Sequence, residues 1–550
     1  TFVIPAEFSA QTRYIGPFAA DFALHGHMSP GHINGNSIVF QRAKVSSDKV
    51  YVWNCNWYKE NESGSMGWGG GICEIKDIKN PVPGLTNLVN HLPFVNVTEP
   101  SRISVSAEFA KLFSDVSEQV QGSASYIDDF EAAENGIDIS SPSAWSLSAI
   151  PSGMEFSNLS NDVRTGYHRA LLNWFTIDPL FTRRNSSLTP SHLKSDLEQL
   201  SNHYIREVYE RELYPNKEST SSESTTLSVL NLAYYPDERG PYNLNPDLTR
   251  EGKLSDPASS WGGIMRSIST TDFEMANIEY LEFWMLDPFI YNPTASGGDF
   301  YINLGEISED VLKDGKKSFE NGLPISDDDK RYEETVWGRV PTVTSLVYAF
   351  DNSAMESRRK QDVGLNGLST EDERTFPSYK HYLDTIKERL TESEYNRIYA
   401  DPAADNYHYF RGDDYDEASM SILDRYRLFN GTEGTSPNSD DTSQRYNTSA
   451  KSNPDVEDAN VDYTMDEYEK YFSYHISLRP SEMNVGSNFI VDKREVKVKL
   501  RNERTEDVTW YRFRIPIDRY DNVVGGIRDF SSIRFMRMYL TGFSDEVHLR

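Results

Sequence analysis

The sequence is poor in several features that define common classes of protein. It has two cysteines among 550 residues, and its 55 Lys and Arg residues are outnumbered by 85 Asp and Glu residues, which gives a net charge of −30. A field of that sign repels phosphate backbones and so disfavours nucleic-acid binding. It suits a solvated extracellular surface or divalent cations. No apolar run of about 18 residues occurs, so we expect no transmembrane helix.

The sequence also lacks the common catalytic motifs. It has no nucleophile elbow, Walker loop, HExxH pair or CxxC. We therefore expect no enzymatic activity. The two cysteines, Cys55 and Cys73, lie between short β-like runs. In an exported protein such a pair can close a disulfide, but two unrelated buried thiols fit the sequence equally well.

What the sequence does contain is one pattern in two copies. Glycines at residues 262–263 precede an alternating apolar run at 278–286, and glycines at 525–526 precede a similar run at 533–541. A period of two with one apolar face is typical of a strand packed on a core. The sequence thus predicts a mainly β protein in which two related, jelly-roll-like β-sandwich units stand in tandem, with helical insertions.

Composition divides the chain into four stretches. Residues 1–115 are β-rich and of uncertain fold, residues 116–325 form the first sandwich unit, residues 326–440 a helical and loop connection, and residues 441–550 the second unit. The second unit stops in the middle of its last strand, which would leave an unpaired edge. The chain also begins without a signal sequence. We therefore expect an internal piece of a longer protein.

A helix is predicted near residues 190–212, inside the first unit. Thr189 is the expected N-cap and Pro190 lies in the first turn. Apolar residues then recur every three or four positions, which places them on one face of a helix: Leu193, Leu197, Leu200, Tyr204 and Val208.

The sharpest candidate site is an acidic loop in the second unit. Oxygen-bearing side chains occupy positions 1, 3, 5, 9 and 12 of this loop: Asp458, Asn460, Asp462, Asp466 and Glu469. This is the spacing of a helix-flanked calcium loop, in which several hard oxygens converge on the ion. The pattern departs at Tyr463, where the turn normally has a glycine with positive φ. A capped helix start without metal is the alternative.

Several short motifs between about residue 90 and the end resemble one known family. They stand in the expected order at residues 126–131, 145–147, 174–180, 199–204, 238–243, 261–266, 305–310, 408–412 and 532–543. Together they resemble the SprA family, also called Sov, the outer-membrane translocon of the type IX secretion system. Residues 1–90 match less clearly.

This resemblance implies an extramembrane part of a very large outer-membrane β-barrel protein. Such proteins export folded cargo and support gliding motility in some members. The expected location is the outer membrane, with this portion at the cell surface or within the barrel. The expected partners are shuttle and plug proteins at a lateral opening, and secreted cargo. The resemblance supplies no enzyme active site.

A second hypothesis is a cell-surface glycan-binding protein built from tandem jelly rolls. Its aromatic residues, such as Tyr234, Tyr235, Trp261 and Trp284, would line a sugar platform, with the calcium loop also contacting sugar. Packing in the core is the commoner fate of such residues. A secreted hydrolase is weaker still, because no pair of carboxylates can be placed on a concave face.

Overall fold

The chain divides into two compact units, Thr1–Glu134 and Asn135–Arg550. The computed structural model describes the backbone of residues 37–46, 49–61, 67–79 and 102–113 in the first unit. In the second unit it describes residues 136–183, 185–215, 226–326, 328–434 and 453–550. Both cysteines lie in the first unit, whereas the repeat and the acidic loop lie in the second.

Antiparallel strands form the described part of the first unit. They are β1 (Ser37–Ser46), β2 (Lys49–Asn61), β3 (Gly67–Lys79) and β4 (Arg102–Phe113), and each pairs with the next in chain order. The register places Cys55 opposite Cys73. Opposed residues of antiparallel strands have Cα atoms about 4.5–5.5 Å apart, which a disulfide can span. The disulfide itself stays a prediction.

The second unit is mainly β, with short helices inserted between its strands. Its strands are β5 (Ser146–Leu147), β6 (Ala170–Phe175), β7 (Val208–Tyr209), β8 (Thr226–Leu227), β9 (Asn231–Arg239), β10 (Trp261–Ser267), β11 (Tyr280–Leu286), β12 (Gly298–Glu306), β13 (Tyr332–Glu334), β14 (Arg339–Pro341), β15 (Lys470–Leu478), β16 (Ile490–Lys499), β17 (Thr505–Pro516), β18 (Asn522–Val524), β19 (Phe535–Thr541) and β20 (Val547–Leu549). Its helices are α1 (Pro179–Thr182), α2 (Ser191–Ser195), α3 (Leu197–Ser201), α4 (Glu210–Leu213), α5 (Met355–Arg359), α6 (Thr370–Glu373), α7 (Pro377–Ile386), α8 (Glu392–Ala400) and α9 (Asp413–Glu417).

The largest sheet combines strands from both predicted sandwich units. Its order is β18-β15-β12-β19-β10-β5, and smaller sheets have the orders β11-β17-β16 and β20-β9-β6. The central strand β19 pairs with β12 on one side and with β10 on the other, so that Met538 lies between Ile302 and Ile264. Two separate jelly-roll units in tandem are therefore not confirmed. The coarser prediction of a mainly β protein with some helices is confirmed.

The two copies of the repeat are both strands, but they occupy different positions in the fold. The first copy forms β11, which pairs with β17 and is partly exposed over residues 280–284, whereas residues 535–540 of β19 are buried on both faces. The glycine pairs also differ. Gly263 lies within β10, whereas Gly525 and Gly526 have positive φ in a turn. A period of two predicts a strand but not its partners.

One hydrophobic core joins the sheets and the helical stretch. Leu304, Ile476 and Met536 of the large sheet pack in the same cluster as Phe513 of β17 and Leu383 of α7. Buried residues of this cluster extend from Trp145 to Leu549. Because the apolar faces of early and late strands meet here, burial favours the mixed sheet over two separate sandwiches.

The continuous helix predicted near residues 190–212 is wrong. The chain forms α2 and α3 instead, and it breaks at Asp196, whose carboxylate accepts the Gln199 N–H at 2.9 Å as a new N-cap. Thr189 does not cap, because its hydroxyl donates to the carbonyls of Leu180 (2.7 Å) and Arg183 (2.9 Å). The apolar face is still buried at Leu193, Leu200 and Val208.

The last strand, β20, lies at the edge of its sheet and pairs with β9 on one side. Residues 547–549 of β20 pair with residues 232–234 of β9, and the Arg550 carbonyl accepts the Leu286 N–H at 2.8 Å. Among the described residues, no helix combines the length and apolar character needed to cross a membrane.

Candidate functional site

The acidic loop predicted to bind calcium lies directly before β15. No helix flanks it: residues 453–469 contain turns and bends, and β15 begins at Lys470. The turn nevertheless requires positive φ where the sequence indicated, because Tyr463 has φ 69° and Val461 has φ 58°. The left-handed region costs a non-glycine residue about 1–2 kcal/mol. Contacts with the rest of the unit must offset that cost.

Asp458 is the first predicted ligand, and it is buried. Its Oδ2 accepts hydrogen bonds from Lys317 Nζ (2.7 Å), from the Tyr463 N–H (2.8 Å) and from the Tyr348 hydroxyl. Its Oδ1 accepts the Asp462 N–H at 3.0 Å. Lys317 therefore supplies a counter-charge for this carboxylate from a segment that is distant in sequence.

Two further predicted ligands pair with arginines of β19 and the residue before it. Arg534 Nη1 lies 2.9 Å from Asp466 Oδ2. Arg537, which is fully buried, donates from Nη1 and Nη2 to the two carboxylate oxygens of Glu469 at 2.9 and 2.8 Å. A bidentate pair of this kind fixes geometry as well as charge. The loop is thus anchored to the central strand of the large sheet.

The remaining two predicted ligands lie close together at the outer part of the loop. Asn460 Nδ2 donates to Asp462 Oδ2 at 3.0 Å and reaches Asp466 Oδ2 at 3.5 Å. The structure therefore brings Asn460, Asp462 and Asp466 together, whereas Asp458 and Glu469 face separate cations. Calcium binding by this loop stays a prediction.

Buried carboxylates that the sequence did not single out hold the loop in place. Glu309 accepts the N–H groups of Ala459 (2.6 Å) and Asp466 (2.9 Å), and burial raises its pKa to about 7. Glu457 likewise accepts the N–H groups of Val311 (2.7 Å) and Ser318 (2.8 Å). These bonds join residues 309–318 to residues 457–466. Their partners are too far apart in sequence to be predicted from spacing.

A second acidic group lies in the helical stretch, and sequence reasoning missed it. Glu373 and Asp405 are fully buried, Asp401 is half-buried, and one carboxylate oxygen from each lies within 4.8 Å of the others. Burial raises the pKa of Asp405 well above its usual value, and the nearby charge of Glu373 raises it further. No spacing signal marks these three residues in the sequence.

The aromatic residues considered as a sugar platform lie mostly inside the protein. Tyr234 and Trp261 are buried and Tyr235 nearly so, while Trp284 is partly buried. An open cleft of 230 Å³ lies elsewhere, between the loop after β11 and the segment before β20, and its lining includes Tyr204, Tyr291, Asn292, Phe543 and Glu546. Tyr291 is 52% exposed there.

The described residues of the second unit form a mainly β structure, and its acidic loop is bound to the central strand of the large sheet. The family model described as motility related/secretion protein, SprA_N, matches residues 381–550. The matched region holds the acidic loop and β15–β20, as well as two of the motifs that carry the resemblance, at residues 408–412 and 532–543. Residues 381–550 are therefore similar to this family. No curated protein matches the chain.

Proposed function

We propose that this chain is a structural part of an outer-membrane protein translocon that exports folded proteins by type IX secretion. The observation that carries the proposal is the family match over residues 381–550, whose description names motility and secretion. In this proposal the chain acts through its surfaces and catalyses no reaction. It belongs to a larger outer-membrane β-barrel protein, and it lies outside the membrane at the cell surface or within the barrel.

The charge of the chain supports this role. A conduit for folded cargo needs walls that are hydrated and do not adhere to apolar or acidic proteins in transit. A net charge of −30 over 550 residues favours solubility and repels most acidic partners. The proposed partners are shuttle and plug proteins at the lateral opening, and the cargo itself.

The contacts of the acidic loop also support a passive structural role. Arg537 and Arg534 bind the loop to β19 and to the residue before it, and Glu309 and Glu457 bind it to residues 309–318. These contacts run through the interior of the unit and hold distant segments in one arrangement. A fixed arrangement is what a passive wall or cap of a translocon requires.

The test is purification of the tagged chain from cells that carry the complete secretion system, followed by mass spectrometry. We expect shuttle and plug proteins to co-purify, and we expect cargo to accumulate inside cells when the gene is deleted. Normal export in the deletion strain, at wild-type levels of cargo synthesis, would contradict the proposal. An unrelated outer-membrane protein with the same tag is the control.

Glycan binding is a second candidate, and the cleft beside Tyr291 is the observation that favours it. Exposed aromatic rings stack on sugars, and the carboxylate of Glu546 can accept hydrogen bonds from hydroxyl groups. The volume of 230 Å³ suits a single sugar unit better than a long chain. Glycan-array binding that disappears in Tyr291→Ala, with export unchanged, would favour this candidate over the first.

A further inference from the structure

The acidic group Glu373, Asp401 and Asp405 joins two parts of the helical stretch. Glu373 is the last residue of α6, and the two aspartates follow α8. One oxygen from each carboxylate lies within 4.8 Å of the other two. Three like charges at this distance repel strongly in a buried site unless something balances them.

Two of the three carboxylates have hydrogen-bond donors. Glu373 Oε1 accepts Asn366 Nδ2 at 2.6 Å, and its Oε2 accepts the Ala403 N–H at 3.1 Å. Asp401 Oδ1 accepts the Asp405 N–H at 3.2 Å. These donors orient the carboxylates, but they carry no positive charge.

Asp405 differs from its neighbours. Its side chain is fully buried, and neither carboxylate oxygen forms a hydrogen bond of good geometry with the described residues. The Tyr242 hydroxyl lies near enough to lower the pKa of Asp405, but its well-aligned hydrogen bonds are with Thr432 Oγ1 (2.6 Å) and the Leu365 N–H (2.9 Å). A buried polar group without a partner is costly, so a native protein normally provides one.

No lysine or arginine of the described residues pairs directly with this group. Arg239 acts on Asp401 electrostatically, but its guanidinium donates to the carbonyls of Asn243 (2.8 Å) and Pro402 (2.6 Å) and lies over the Tyr382 ring. By contrast, Asp458 and Glu469 of the acidic loop bind Lys317 and Arg537 directly. The group around Asp405 therefore lacks the direct ion pairs seen in the loop.

We propose that Glu373, Asp401 and Asp405 form a binding site for a hard divalent cation, with Ca²⁺ as the best fit. Carboxylate oxygens are the ligands that Ca²⁺ takes, at about 2.3–2.6 Å, so oxygens up to about 5 Å apart can share one ion. Zn²⁺ prefers nitrogen and sulfur ligands. The bound ion ties the end of α6 to the segment after α8 and stabilises the helical stretch.

The proposal is tested on the 550-residue chain after chelation, with Ca²⁺ as the added ligand and Tb³⁺ as a luminescent probe. Tyr379 and Tyr242 lie beside the site, so exciting tyrosine sensitises bound Tb³⁺, and Ca²⁺ displaces the signal. At Ca²⁺ 100-fold above its Kd we expect Tm to rise by about 3 °C. Asp405→Asn abolishes this rise and the Ca²⁺-displaceable signal.

Asp384→Asn is the matched control, because it makes the same chemical change at an exposed aspartate of α7, outside both acidic groups. We expect it to keep the Ca²⁺ response. A response lost in Asp462→Asn but retained in Asp405→Asn overturns the proposal, and so does a wild-type chain with no Ca²⁺ response. Glu373→Gln serves as the second variant where Asp405→Asn does not fold, and it must also lose the response.

Discussion

The acidic loop and the buried group around Asp405 both contain several carboxylates, but they differ in how the charge of those carboxylates is balanced. In the loop, Asp458, Asp466 and Glu469 each bind a lysine or arginine that comes from another part of the chain. Around Asp405, three carboxylates converge, and Asp405 forms no hydrogen bond of good geometry with the described residues. The comparison shows that the density of carboxylates in a sequence does not reveal a metal site. What matters is whether cations of the protein already balance them.

We expect the largest loss of unfolding free energy when one partner of a buried ion pair is removed. Arg537→Met leaves the Glu469 carboxylate without its bidentate partner and Asn303 Oδ1 without its donor. We expect a loss of about 3–5 kcal/mol in the free energy of unfolding, because an uncompensated charge remains inside. Urea unfolding of the 550-residue chain measures it. A loss below about 1 kcal/mol would show that the loop is not anchored through this pair.

A buried carboxylate that forms no direct ion pair with the described residues should reverse the usual dependence of stability on pH. Burial and the charge of Asp310 raise the pKa of Asp314 from 3.8 to about 6. The folded protein then holds a proton that the unfolded chain has lost, so this contribution to stability is complete below pH 3.8 and falls as pH rises through 6. In wild type this contribution to the free energy of unfolding should fall by about 2–3 kcal/mol over that range of pH. We expect Asp314→Asn to remove this fall.

Unfolding free energies of wild type and Asp314→Asn between pH 3.5 and 7 measure this difference, with Asp462→Asn as an exposed control. The control should leave the pH dependence almost unchanged. Parallel curves for wild type and Asp314→Asn would contradict the assigned pKa.

We expect the smallest loss of unfolding free energy for an ion pair that is half-exposed. The Arg534 side chain is 40% exposed in its pair with Asp466. Water and salt screen such a pair, so Arg534→Met should lower the free energy of unfolding by about 0–1 kcal/mol. Measured beside Arg537→Met, it separates the effect of burial from the effect of losing an arginine. Equal losses of unfolding free energy in the two variants would show that burial of the pair does not determine its contribution.

Local pattern was a good guide to strands and a poor guide to their assembly. The alternation around Phe283 and Met538 predicted two strands, and both exist as β11 and β19. Their sheet partners come from residues more than two hundred positions away, which no local period encodes. The repeated pattern therefore predicted two sandwiches. In the structure, strands from both copies of the predicted unit join one mixed sheet, because they share one buried core.

The helix near residues 190–212 failed for a local reason. Its apolar spacing was correct, but Asp196 can accept a backbone N–H and restart the helix, which a periodicity argument ignores. The candidate site shows the same limit at long range. The sequence located the loop and its left-handed turn at Tyr463, whereas Lys317, 141 positions away from Asp458, could not be assigned to it.

The most direct test of the contrast between the two acidic sites is native mass spectrometry of the chain in calcium-containing buffer. We expect a bound calcium ion in wild type and in Asp384→Asn, and one ion fewer in Asp405→Asn. The same number of ions in wild type and Asp405→Asn would contradict this expectation.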